Sequence, residues 1–146
     1  MCRAHATVRG LLGEIVGSAE DIAIADMEAG LEHFSRGTPR HADAVVAVLE
    51  PYYRSLETAA RVIDLARELG VRSVHAIANK VRGDADAKAI EEFCNARSLT
   101  LLGVVPHDDA VLEADRDGGA VLDRAPASPS MKAIGQIADR LLAQGA

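Results

Sequence analysis

Four short runs of small and β-branched residues constrain this chain more than any other feature: Ile22–Ala25, Val45–Leu49, Val74–Ala78 and Leu101–Val105. None alternates apolar with polar, so each reads as a strand buried on both faces, as in a parallel sheet covered by helices. Helical patterns lie between them. Ser55 is an N-cap candidate with Thr58 three residues on, and Ala59, Val62, Ile63, Ala66 and Leu69 follow on one face before Gly70 as the stop. A second helix is expected from about Asp86 to Ala96, with Ala89, Ile90, Phe93 and Cys94 inward. A third begins near Ser130 and carries Ile134, Ile137, Ala138, Leu141 and Leu142. The strand starts recur at roughly the ~30-residue spacing of βαβ units, which makes the fold α/β with a mainly parallel sheet.

The 146 residues suit one domain, residues 1–146, with 49% hydrophobic residues for a core and only 3% aromatic. The net charge of −6 argues against a nucleic-acid partner, which would want a basic face. Two cysteines, Cys2 and Cys94, build no disulfide framework. The longest apolar run, Ala44 to Leu49, is far below the ~20 residues of a membrane span, and the N-terminus has no signal-peptide apolar region. The expected compartment is the cytoplasm. Residues 6–16 read as a helix leading into the first strand, and the chain is expected to start partway through a doubly wound fold. Asp115–Ser130, rich in Gly, Pro, Asp and Ser, reads as a surface loop.

Three strand ends carry polar residues at the edge where open α/β sheets bind ligands. Asp26 closes the first run and Gly30 follows four residues on. A carboxylate there suits the metal side of a Mg²⁺-nucleotide site, and the glycine admits a phosphate oxygen close to the backbone. A turn cap and a loop glycine explain the same pair equally well. Asn79 and Lys80 close the third run, and an Asn amide at that place reads a purine edge. The guanine-type N-K-x-D pattern has Arg82 at its fourth position, which favours adenine. A strand-end turn is the competing explanation. The fourth run ends in V-V-P-H-D-D, where Pro106 stops the strand and His107 and Asp108 stand at the wall of a base pocket or simply lead into a helix at Ala110.

Taken together, residues 21–142 resemble the later part of the MinD/ParA-like P-loop ATPases, and within them the CooC-type branch of carbon monoxide dehydrogenase maturation factors. D-M-E-A-G-L-E-H-F-S-R-G-T, Asp26 to Thr38, resembles that branch's acidic strand-end motif and second switch loop. N-K-V and V-P-H-D-D-A-V-L-E-A-D-R-D-G-G-A-V resemble its adenine-side segments. The resemblance implies ATP or ADP with Mg²⁺ as cofactor, Asp26 as the Mg-side acid, and Gly30, Asn79, Lys80, Pro106, His107 and Asp108 as nucleotide-binding residues. It also implies a homodimer, a role in nickel insertion, and a client metalloenzyme such as carbon monoxide dehydrogenase. The branch's Cys-x-Cys places a Ni²⁺ or Zn²⁺ ion between subunits; here only Cys2 matches, and an incidental thiol accounts for it equally. His5 is near in sequence without a motif match, His33 and His41 read as loop residues, His75 as a strand residue and Cys94 as core.

The family's phosphate loop needs G-K-[ST], and none of the three lysines, Lys80, Lys88 and Lys132, follows a glycine. The chain is therefore expected to be the carboxyl-terminal portion of such a fold, without hydrolysis of its own. With the phosphate-loop strand absent, the family's strand positions are expected to persist around an unfilled slot, the run ending at Asp26 sharing a sheet with that ending at Asn79. Two rivals are a non-catalytic interaction module using Leu31–Thr38 and a receiver-like domain, the latter disfavoured by the lack of paired early acids.

Overall fold

The computed structural model describes residues 22–27 and 42–143. Strands β1 (Ala44–Leu49), β2 (Ser73–Val81) and β3 (Thr100–Pro106) form a parallel sheet in the order β1-β2-β3. Helix α1 (Tyr53–Glu68) crosses from β1 to β2, and α2 (Asp84–Ala96) from β2 to β3. After β3 come α3 (Asp109–Arg116), the single turn α4 (Val121–Arg124) and α5 (Pro129–Ala143). Parallel neighbours need such crossovers, and two of the same hand put both helices on one face.

That face holds the main core. Leu49, Ala47, Ala76 and Ala78 of the sheet meet Ile63 of α1 and Ile90 and Cys94 of α2. Small residues on the strands let the helices approach closely, and the branched chains of Ile63 and Ile90 fill the space; burying each contributes about 1.5–3 kcal/mol. On the other face α5 packs over β3, with Ile137 against Leu102 and Val105. Gly103 makes this approach possible, because a Cβ there would stand 2.5 Å from Ile137 Cγ1. Arg140 Nη1 donates to the Leu102 carbonyl at 2.6 Å and ties the helix to the edge strand.

Helix ends follow local chemistry. At the end of α1, Gly70 adopts φ +78°, Val71 N–H donates to Ala66 O and Gly70 N–H to Arg67 O, a Schellman closure. The same pair of bonds closes α2, from Leu99 N–H to Cys94 O and Ser98 N–H to Asn95 O, with Ser98 taking the left-handed position at φ +51°.

Four expectations are corrected. Ile22–Ala25 forms no strand; Ile22 and Ile24 are 72% and 90% exposed, and the sheet of described residues ends at β1. A both-faces-buried run becomes a strand only through a ladder partner, and here none adjoins it, so Asp26 does not share a sheet with Asn79. Met27 alone reaches the body, packing with Val45 and Val62 beside Ala66 and Val71. Ser55 is not the N-cap of α1, which is Tyr52; its hydroxyl accepts the Glu50 N–H at 2.9 Å instead. Within the expected loop, Val121–Arg124 forms α4, where α3 and α4 pack on each other. On α5, Ile134, Ala138 and Leu142 face outward rather than into the core, because the helix lies mainly over β3 and turns Ala133, Ile137 and Leu141 towards the sheet. The expected helix at 6–16 lies outside the described residues.

Candidate functional site

The carboxyl ends of β1, β2 and β3 bring three short polar segments to one edge. β2 and β3 differ in length there, and the mismatch is absorbed by a register irregularity between Ala78 and Val81. Lys80 sits inside it with φ +56°, a left-handed conformation that costs a non-glycine residue roughly 1–2 kcal/mol. Strain of this kind gathers where a side chain must be re-aimed. The Lys80 ammonium turns towards β1 and donates to Glu50 Oε1 at 3.0 Å, while the Tyr52 hydroxyl donates to Glu50 Oε2 at 2.8 Å.

Burial opposes ionisation of Glu50, but the bonds from Lys80 and Tyr52 outweigh it and hold its pKa below the usual value. The same carboxylate raises the Tyr52 phenol, since losing that proton would place two anions together. Asn79, one residue earlier, is half-buried, and among the described residues its amide has no hydrogen-bond partner. Glu50 was not singled out from the sequence. It bore the same signal as Asn79: a polar residue directly after a buried run.

The third segment is bound to the second through the backbone. His107 N–H donates to Val81 O at 2.9 Å, so Pro106 and His107 lie beside the end of β2. Asp108 caps α3, with Oδ1 accepting the Ala110 N–H at 3.1 Å, and Oδ2 accepts the Ser130 N–H at the start of α5 at 3.0 Å. The Ser130 bonds, with smaller help from Ser128 and Ala110, pull its pKa down to about 2. Thus the structure gathers Asn79, Lys80, Pro106, His107 and Asp108 along one edge. Asp26 lies in the segment outside the sheet and is exposed. Gly30, Cys2 and Leu31–Thr38 lie outside the described residues. Cys94 is buried in the core, and burial pushes its thiol up, as fits packing rather than chemistry. Among the described residues no three His, Cys, Asp or Glu side chains gather in a metal-binding cluster.

The edge suits a planar base rather than a phosphate chain. A half-buried amide offers both a donor and an acceptor, the pair a purine edge needs, and the Pro106–His107 backbone runs beside it at the end of β2. Among the described residues nothing on it forms the glycine-rich nest and lysine that hold a β-phosphate, and no Gly-Lys dipeptide occurs in the sequence. The residues fit the base side of a nucleotide and leave its phosphate side without a partner of known place.

No protein-family model matches the chain. It is 42% identical over 127 residues to the carbon monoxide dehydrogenase accessory protein CooC of Rhodospirillum rubrum, covering 87% of this chain and 48% of that protein. It is 36% identical over 116 residues to an uncharacterized ATP-binding protein of Methanocaldococcus jannaschii, covering 79% of this chain and 45% of the relative. The chain thus spans about half the length of the curated relatives it matches. Among solved structures, the septum site-determining protein MinD of Pyrococcus horikoshii, complexed with Mg-ADP, superposes with a TM-score of 0.77 over 94% of this chain and 56% of that one, at 19% identity. A ParA family ATPase of Chlorobium tepidum gives a TM-score of 0.73 over 94% of this chain and 56% of that one, at 24% identity. Those two likenesses show a partial P-loop NTPase-like fold, and the sequence relatives make the chain a member of the MinD/ParA-like superfamily, of the CooC type.

Proposed function

We propose that residues 1–146 supply the base-side portion of an ATP-binding protein of the CooC type, acting in the maturation of a nickel metalloenzyme such as carbon monoxide dehydrogenase. The observation that carries the reading is the single edge on which the Asn79 amide, without a hydrogen-bond partner among the described residues, stands beside the stitched Val81–His107 turn. In this reading Asn79 reads the adenine edge, Pro106 and His107 form the wall, and Lys80 is held over the rim by Glu50. When bound, Mg²⁺ would neutralise charge on the phosphates, with Asp26 as the acid on that side. Homodimer formation and a metal at Cys2 belong to the same reading and rest on the likeness to CooC.

The test is titration of the 146-residue chain with ADP and GDP, following the Asn79 side-chain amide by nuclear magnetic resonance. Weak, adenine-selective shifts that Asn79→Ala removes are expected, with no Mg²⁺-dependent hydrolysis of ATP. Micromolar, stoichiometric ATP binding, about −8 kcal/mol, would overturn the assignment of this chain to the base side alone. A GDP response equal to that of ADP would overturn the adenine assignment.

A further inference from the structure

We propose that Asp108 is a positioning residue: one carboxylate clasps the starts of α3 and α5 together, and so holds the Pro106–His107 turn in place as the base-side wall. The proposal rests on the base-side reading above and gives that wall a cause. From Asp109 to Ser128 the chain leaves the sheet, forms α3 and α4, and returns. Closing such a loop costs chain entropy, which some contact at its base must offset.

Asp108 stands at that base. Its Oδ1 takes the Ala110 N–H at 3.1 Å and its Oδ2 takes the Ser130 N–H at 3.0 Å, 22 residues further on. The far side of the clasp is itself fixed. Ser130 is 2% exposed, its hydroxyl lies 3.1 Å from that of buried Ser128, and Ser128 Oγ accepts the Met131 N–H at 3.4 Å. An ionised carboxylate between two helix starts also meets the positive ends of both dipoles. On the other side, His107 N–H is fixed to Val81 O. The turn bearing Pro106 and His107 is therefore pinned at both ends, to β2 by its backbone and to α5 by Asp108. With both oxygens engaged inside the chain, Asp108 orients the wall rather than touching the base.

The experiment compares the wild-type chain with Asp108→Ala, Asp108→Asn and the exposed-charge control Asp115→Asn further along α3. Amide exchange at Ala110, Ser130 and His107 is expected to quicken at least tenfold in Asp108→Ala, with Ile63 and Ile90 unchanged. Asp108→Asn keeps one acceptor and should fall between, and Asp115→Asn should match wild type. The ADP-induced shift at Asn79 should shrink in the same order. If Asp108→Ala does not fold, the wild-type chain still decides the clasp: the Ala110 and Ser130 amide proton shifts should titrate together near the Asp108 midpoint, and should not in Asp108→Asn. Unchanged exchange at His107, or independent titration of the two amides, would overturn the clasp. Faster exchange with an undiminished ADP response would overturn its role in the site. A wild-type chain with no ADP response at all would sink the nucleotide reading, and with it the site role, while leaving the exchange data to judge the clasp by themselves.

Discussion

At the scale of single residues, the chemistry lies in two carboxylates that serve their own chain. Asp108 has a folded-state pKa of about 2 against an ordinary 3.8. A depressed value means that its contribution to stability is whole above about pH 4 and is lost as pH falls towards 2. Urea unfolding followed across that window should therefore show a shallower acid loss in Asp108→Asn than in wild type; identical acid limbs would refute the assignment. Glu50 works differently. Its partner Lys80 is well exposed, so the pair contributes no more than about 1 kcal/mol, and its worth lies in aiming Lys80. Sequence alone located Asn79, Lys80, Pro106, His107 and Asp108, because a polar residue after a buried run must emerge at the sheet's edge. It did not reveal which partners they take, since Asp108 and Ser130 meet only once the excursion has closed.

At the scale of elements, the strands and helices were legible wherever a local pattern and a partner agreed. β2 and β3 grew by one to three residues at their ends relative to the expected Val74–Ala78 and Leu101–Val105, as ladder bonds extend beyond the apolar run. Gly70 was legible as the end of α1, whereas Ser98 gave no such sign at the end of α2, because serine is an ordinary residue in sequence and left-handed only in place. The two ends therefore respond oppositely to exchange. Gly70→Ala should lose about 1 kcal/mol, and Ser98→Gly should gain roughly 0.5–1 kcal/mol, read as opposite shifts in denaturant midpoint. A loss in Ser98→Gly would show that helix end to be unstrained. Gly103 sets the seat of α5 in the same way: a methyl there collides with Ile137, and Gly103→Ala should cost about 1–3 kcal/mol by lifting the helix off β3. A neutral Gly103→Ala would show that α5 is free to shift.

At the scale of the whole molecule, the two edges of the sheet are unlike. β3 carries α5 along it, with Arg140 on the Leu102 carbonyl. Among the described residues β1 has no strand on its outer side, and Val48, on the same face as α5, is 57% exposed. Ile22 and Ile24, which the sequence marks as strand residues, stand exposed for want of a ladder. An edge of unpaired N–H and C=O groups beside apolar side chains is a template for another chain, and natural sheets blunt such edges with charge. The sequence could show that Ile22–Ala25 is apolar on both faces but not whether a neighbour exists to bury it, since that is a property of the assembled sheet. The 146-residue chain should therefore associate in solution as its concentration rises. Val48→Lys should suppress that association, because an ammonium on the open face must be desolvated for a second chain to add there. Sedimentation across a concentration series tests the pair. A wild-type chain that stays monomeric, and unfolds in one transition seen alike by circular dichroism and by Tyr52 and Tyr53 fluorescence, would show that the open edge is harmless. Association undiminished by Val48→Lys would move the contact elsewhere, with the outward Ile134–Leu142 stripe of α5 as the next surface to charge.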